Sequence, residues 1–320
     1  MNNNLKYVLN LVLIWIFAAS VCNSLKYQEN EFTEQEILKY KEALSLCDEN
    51  KYEEASEIFK EFLEKYPDSE EANRAVVMVC INTEHYAEAV ALCTKILEKE
   101  PLNEDYLQFR SYCGLRCGEY EIAVADCTSL IEKNLIACYA VRGDAYLMLK
   151  KYREAIDDYS RTIQMCGVST DLDVYTNRAS AYMEIHEYEK ALEDTCYIIE
   201  RQPDNALNYV DRGLVYLAQY KHKQAIEDFN KALDIDENCA MAYIRRAQAY
   251  LGIKKYKKAL KDCEKAFLIE PNNIICYKVR CLTYIFLKNK NAAEADLQYI
   301  LQVDPYGSDV DKLKLDIKNM

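Results

Sequence analysis

An alanine recurs along this chain at a spacing few folds can use. Ala55, Ala89, Ala123, Ala155, Ala191, Ala225, Ala259 and Ala293 are separated by 34, 34, 32, 36, 34, 34 and 34 residues, and the short and long gaps cancel. A period of this length means one small supersecondary unit copied many times. Each copy is too small to bury its own apolar face, so stacked neighbours complete the core. Other columns keep the same beat. Three residues before the alanine stand Tyr52, Tyr86, Tyr120, Tyr152, Tyr188 and Tyr256, with His222 and Lys290 as departures. Nine before it stand Tyr146, Tyr182, Tyr216, Tyr250 and Tyr284, and sixteen before it Tyr139, Tyr175, Tyr209, Tyr243 and Tyr277.

All five prolines fall twelve residues after the alanine, at Pro67, Pro101, Pro203, Pro271 and Pro305. Proline lacks an N–H and clashes with the preceding turn, so this column ends the second helix of a pair. Two residues later come Ser69, Asn103, Asn205 and Asn273, whose side chains suit the N-cap of the next helix. Leu135, Gly167 and Glu237 replace the proline in three copies. The chain has only 7 Gly and 5 Pro in 320 residues, against about 22 and 16 at average usage. That is too little turn material for a many-stranded β fold.

The unit boundaries that follow are 36–69, 70–103, 104–135, 136–171, 172–205, 206–239, 240–273 and 274–307. This array resembles the tetratricopeptide repeat (TPR) family. In that family position 20 is the small residue where two helices touch most closely, and the eight alanines occupy it. Position 8, small in the family, holds Ala43, Ser111, Gly143, Ala179, Gly213, Ala247 and Cys281, with Val77 oversized. The resemblance implies an all-α, right-handed superhelical TPR solenoid of eight helix-turn-helix repeats. Residues 308–320, with Leu313, Leu315 and Ile317 among charges, read as a capping helix over the last repeat.

The start of the chain differs from the rest. Lys6 precedes an apolar run from Tyr7 to Ala19, broken only by Asn10, and Ser20, Val21 and Cys22 follow. A positive start, a short apolar core and a small-residue exit read as a signal peptide over 1–22. The alternative is an uncleaved anchor, although the run is shorter than the ~20 residues that span a bilayer comfortably. A membrane is a partner only in that second case.

In the TPR family the first helices line the concave face through positions 2, 5, 9, 12 and 13. Carried onto this sequence, repeats two, three and five give a mostly polar set that includes Glu71, Arg74, Asn82, Asp105, Gln108, Asp173, Ser180 and Glu184. The last three repeats instead give Leu207, Val210, Leu214, Leu217, Met241, Ile244, Leu251, Ile275, Leu282, Ile285 and Phe286, and repeat one adds Ile37, Tyr40 and Leu44. Apolar residues left uncovered mark a binding surface, and the eleven are the candidate client-binding groove. Ordinary packing between repeats is the competing reading. The carboxylate clamp by which some family members grip acidic tails is not matched. Asn177 fits its middle position, but Ala140, Asp144, Leu207 and Asp211 stand where lysine, asparagine and arginine would be needed.

Enzymatic chemistry finds no foothold. His85, His186 and His222 are isolated, and no glycine-rich phosphate loop occurs. The acidic pair Asp157 and Asp158 falls on a second helix and is expected to face solvent. Cys113, Cys117, Cys127 and Cys138 lack the paired spacing of a zinc site. Most of the 14 Cys sit in core columns, where cysteine acts as a small hydrophobe. In an oxidising lumen Cys80 with Cys93, Cys117 with Cys127, and Cys263 with Cys281 are candidate disulfides, because their columns could face each other. A core-placed, odd set of thiols instead suits a reducing compartment and the anchored reading. Net charge is −13, which repels nucleic acid. No cofactor is implied.

The expected function is thus a non-catalytic protein-binding scaffold. Signal segment, array and groove together resemble the TPR portion of the DnaJ homolog subfamily C co-chaperones of the endoplasmic reticulum lumen. That resemblance implies binding of unfolded or extended polypeptide, with a luminal heat-shock chaperone as second partner. The His-Pro-Asp tripeptide of a J domain occurs nowhere in the sequence, so the expectation is a holdase that does not drive a chaperone ATPase. A KDEL-like ending is also missing, so retention in the lumen would need a partner. The alternative is a signal-anchored cytosolic scaffold or import receptor.

Overall fold

The computed structural model describes residues 33–320, so the signal segment expected over 1–22 lies outside the described residues. Every regular element among the described residues is helical. Helix α1 (Glu34–Asp48) packs on α2 (Tyr52–Lys65), α3 (Glu70–Asn82) on α4 (Tyr86–Lys99), α5 (Glu104–Cys117) on α6 (Tyr120–Glu132), and α7 (Cys138–Met148) on α8 (Tyr152–Cys166). A short 3-10 turn, Gly167–Ser169, follows. Helices α9 (Leu172–Glu184) and α10 (Tyr188–Arg201) are tied by an ion pair described below. Then α11 (Ala206–Ala218) packs on α12 (His222–Ile235), α13 (Ala240–Gly252) on α14 (Tyr256–Ile269), and α15 (Ile274–Phe286) on α16 (Lys290–Val303). Finally α17 (Val310–Lys318) lies against α15 and α16. The described residues form two compact units that divide between Asp173 and Val174.

Scarce glycine does not prevent tight turns. Each first helix of a pair ends on a left-handed residue: Asn50, Glu84, Gly118, Lys150, His186, Tyr220, Lys254 and Lys288, with φ between 58° and 93°. The next N–H then reaches back to the helix, as Lys51 does to the Leu46 carbonyl, Lys221 to Tyr216 and Lys255 to Tyr250, each at 2.8 Å. This closure satisfies carbonyls the helix end would otherwise orphan. Only Gly118 takes the conformation without cost; for the others it costs about 1 kcal/mol each. At the other junction the caps form from the residues the sequence singled out. Ser69 accepts from Ala72 N–H, Asn103 from Tyr106, Asn205 from Leu207, and Asn273 from both Ile275 and Cys276.

All eight column alanines are fully buried. A second packing rule runs between position 8 of the first helix and position 24 of the second. A methyl group on Gly143 would lie 2.8 Å from the Tyr159 ring, and one on Gly213 would lie 2.4 Å from Phe229. In these two repeats the ring on the second helix requires glycine opposite, whereas in repeat one Phe59 is accommodated with Ala43 at the matching position. Val77, oversized for its column, has Cys93 at the matching position, and both are fully buried. The larger side chain at position 8 thus stands opposite a small one at position 24, as close packing favours.

A third feature was not anticipated. From the third repeat onward, position 7 is arginine and position 23 aspartate, giving Arg110–Asp126, Arg142–Asp158, Arg178–Asp194, Arg212–Asp228, Arg246–Asp262 and Arg280–Asp296. Each pair is bidentate, with N···O distances of 2.6–3.0 Å. All six aspartates are buried. Asp158 therefore does not face solvent, contrary to expectation; only its neighbour Asp157 does. Several arginines also bond the second helix of the preceding repeat, through Thr94 for Arg110, Thr128 for Arg142 and Asn230 for Arg246. The tyrosine columns pack over the guanidinium groups, as Tyr139 and Tyr146 do over Arg142, and Tyr175 and Tyr182 over Arg178. Planar stacking and forked hydrogen bonding are arginine properties that lysine cannot supply.

The first two repeats lack this pair. Position 7 is Glu42 or Val76 there, and position 23 is Ile58 or Leu92. Instead one apolar cluster runs unbroken from Tyr40 to Cys138, and Ala72 to Ile81 of α3 is buried all round. In Val174–Met320 the apolar clusters are smaller and separate, the last one joining Cys281, Ile285 and Ile300 to Val310, Leu313 and Ile317 of α17. Leu315, expected to help cap the array, points to water.

Candidate functional site

The eleven groove candidates do not share one environment. Val210, Ile244 and Ile285 are buried and belong to the core, so they offer no surface to a partner. Val210 and Ile244 stand at position 5 and Ile285 at position 12, each inside a core cluster, and packing is the reading that applies to them. Leu214, Leu217, Met241, Leu251, Ile275 and Leu282 are half-buried. Leu207 and Phe286 are open to water, at 55% and 51% exposure. Phe286 lies flat on Tyr256, with ring centroids 5.0 Å apart. Tyr40, the aromatic of the repeat-one set, is also core, and its hydroxyl donates to the Glu71 carbonyl at 3.1 Å. Ile37 and Leu44 are half-buried.

The polar candidates of the early repeats are occupied by neighbours. Arg74 is buried and ion-paired to Asp105, while Asn82 donates to the Met78 carbonyl at 2.8 Å. At the positions of the missing clamp, Asp144 accepts from the Tyr159 hydroxyl at 2.7 Å, and Leu207 presents an apolar side chain.

Between the apolar side chains of α11 and α13 stand two charged ones at the same position of each helix, Asp211 and Arg245. Both are partly buried. Burial, with no compensating partner, raises the Asp211 carboxyl to about 6. The same cause holds the Arg245 guanidinium below the ordinary arginine range. On α11, Leu207 and Leu214 flank Asp211 at i−4 and i+3; on α13, Met241 and Gln248 flank Arg245 in the same way. The two helices touch directly. The sequence showed Asp211 only as a failure of the clamp and did not single out Arg245.

The cysteines are free. All thirteen among the described residues carry thiols, so the three candidate disulfides are absent. Their expected partners are also displaced. Cys127 meets Cys138, and Cys263 meets Cys276, because position 24 faces position 3 of the next repeat. Cys117 is exposed, and Cys281 donates to the Ala293 carbonyl at 3.4 Å instead. The buried thiols resist ionisation; burial pushes Cys93 up to about 12. The histidines have local roles. His85 is bonded to Thr83 at 2.8 Å and His186 to Tyr188 at 2.7 Å, while the His222 ring fills the space over Gly252. Among the described residues no group of three metal-ligating side chains occurs, and no helix is long and apolar enough to cross a membrane.

A cavity of about 580 Å³ went unseen in the sequence. It lies on the first two repeats, floored by Leu63, Pro67, Leu92 and Ile96, and Lys99 and Asp68 form an ion pair among its lining residues. Second helices supply most of its lining, with Glu70, Asn73 and Tyr106 contributed by first helices, so a reading confined to the five groove positions of first helices did not find it.

Comparison with known proteins agrees with this architecture. Residues 46–111, 206–239 and 240–273 each match a tetratricopeptide repeat model. No curated protein matches the chain in sequence. Among solved structures, a tetratricopeptide repeat protein from Parabacteroides merdae is similar at 20% identity and a TM-score of 0.61, covering 78% of this chain and 99% of that one. A chain of the APC/C hetero-tetramer Cut9–Hcn1 is similar at 14% identity and a TM-score of 0.57, covering 83% of this chain and 52% of that one. The C-terminal part of a repeat-containing protein from Cytophaga hutchinsonii follows at 19% identity and a TM-score of 0.53, covering 74% and 97%. At these identities the likeness is one of fold. With matched repeats in both compact units and paired helices throughout, the chain is a tetratricopeptide repeat protein.

Proposed function

We propose that this protein is a non-catalytic holdase of the secretory pathway that binds unfolded or extended polypeptide along α11, α13 and α15. TPR repeats mark a protein-binding scaffold. The observation that carries it is Leu207, 55% exposed on α11, beside Leu214 and Met241, which pack on the core with part of each side chain left at the surface. Leucine and methionine side chains adapt to clients of varied shape. The test is suppression of aggregation of a thermally unfolding reporter protein. Leu207→Asp with Leu214→Asp should abolish suppression while leaving helicity intact. Equal suppression by wild type and double variant would overturn the reading.

The compartment follows from the amino-terminal pattern. Protein expressed in eukaryotic cells should begin after residue 20 or 22 on amino-terminal sequencing, and a start at Met1 would overturn the secretory assignment. One observation favours the alternative of a signal-anchored scaffold facing the cytosol. Thirteen free thiols, most of them buried, are easier to keep reduced there than in an oxidising lumen. A luminal heat-shock chaperone is the second partner under the first reading.

A further inference from the structure

The groove holds a charge arrangement that generic apolar binding does not require. Asp211 makes no hydrogen bond or ion pair with any described residue, although it is half-buried. One helix further on, Arg245 bonds only Gln248, through Nη1 at 3.1 Å, and its Nε is buried with no acceptor. The contrast with the next position along each helix is complete. Arg212 and Arg246 are fully committed to Asp228 and Asp262. Arg245 Nε is a buried polar atom without a partner, and such an atom in a folded protein asks for an explanation; Asp211 beside it is a half-buried carboxylate. Here the two are of opposite sign, at equivalent places on touching helices, and not bonded to each other.

What satisfies both at once is a group with a donor and an acceptor side by side and no net charge. A peptide unit has that form: its N–H suits Asp211, and a neighbouring carbonyl suits the Arg245 guanidinium. An anionic tail would gain at Arg245 and lose at Asp211, and the protein's net charge of −13 adds to that loss. A cationic segment would meet the reverse. The flanking Leu207, Leu214 and Met241 supply apolar contact on both sides of the pair.

Resting on the reading of this face as a polypeptide groove, we infer that Asp211 and Arg245 hydrogen-bond the main chain of an uncharged, extended apolar segment laid across α11 and α13. The device makes binding sequence-tolerant, because every residue except proline carries the same two groups. It also explains why the pair stays unmated inside the protein: an internal ion pair would remove the site.

The test uses the full chain and a short fluorescein-labelled peptide rich in Leu, Val and Ser without charged side chains, followed by anisotropy. Asp211→Leu and Arg245→Met should each weaken binding about ten-fold or more, with helical content unchanged. A peptide carrying main-chain N-methyl groups should bind wild type weakly, yet lose little further affinity against Asp211→Leu. Variants binding as tightly as wild type would overturn the inference and leave the apolar groove standing. An N-methylated peptide penalised equally by wild type and Asp211→Leu would also overturn it. Absence of binding by wild type would overturn the groove itself. A matched peptide ending in several glutamates should bind more weakly than the neutral one, and tighter binding would count against the pair as a main-chain reader.

Discussion

The first two repeats and the six that follow solve the same packing problem with different chemistry. In repeats one and two the space between paired helices is filled with aliphatic and aromatic side chains, and α3 is buried on every side. From repeat three onward the equivalent space holds a bidentate Arg–Asp pair, roofed by tyrosine from repeat four. The backbone arrangement is common to both, so the fold does not depend on either filling. A buried ion pair is weak evidence for stability, since desolvation offsets most of its attraction. What the pair adds is direction: two forked hydrogen bonds fix how far one helix can rotate against the other, where hydrophobic contact is indifferent.

The contrast can be broken most forcefully at Asp262. Replacing it alone by leucine strands Arg246 and should cost about 3–5 kcal/mol in urea unfolding. Changing both, Arg246→Val with Asp262→Leu, copies the Val76 and Leu92 of repeat two and should recover most of that loss. A double variant as unstable as the single one would show that the two fillings are not interchangeable. The reverse graft, Val76→Arg with Leu92→Asp, should cost about 1–3 kcal/mol, because Asn73 and Cys80 stand where tyrosines roof the later pairs.

A smaller effect separates Asp211 from the paired aspartates. Its carboxyl is raised by burial, so the folded protein binds the proton more tightly than the unfolded chain. Its contribution is unfavourable above about pH 6 and fades as pH falls through 6 toward the ordinary aspartate range. Asp211→Asn should therefore stabilise the protein by about 1–2 kcal/mol at pH 7 and not at pH 3.5. Equal Tm differences at both pH values would reject that account. The least effect belongs to the turns. Tyr220→Gly or Lys254→Gly should stabilise by about 0.5–1 kcal/mol, and Gly118→Ala should destabilise by a similar amount. Thermal unfolding of the three variants decides it.

The fold was readable because its signals are one-dimensional. The alanine column, the proline column and the Ser69 and Asn273 caps each follow from local geometry repeated at fixed spacing, and repetition removes the ambiguity a single copy would carry. Pairings between helices were harder. Arg and Asp sixteen residues apart carry no local signature, and the tyrosine columns were visible without the guanidinium groups they cover. The cysteines failed for a related reason. Cys263 was matched with Cys281 when its real neighbour is Cys276, because position 24 meets the next repeat at position 3. In the groove, residue type could not separate Leu207 from Ile244, since the two differ in rotation about the helix axis and not in hydrophobicity.

The fit of Tyr159 against Gly143, and of Phe229 against Gly213, bears on how such a chain can be remodelled. Each bulky ring and the vacancy that receives it travel on the same hairpin, so a hairpin moved whole brings lock and key together. A splice made inside the hairpin would drop a ring onto a side chain or leave a hole. The smallest portable cassette in this array is thus the intact pair of helices, and lengthening or shortening the protein should succeed only in multiples of it.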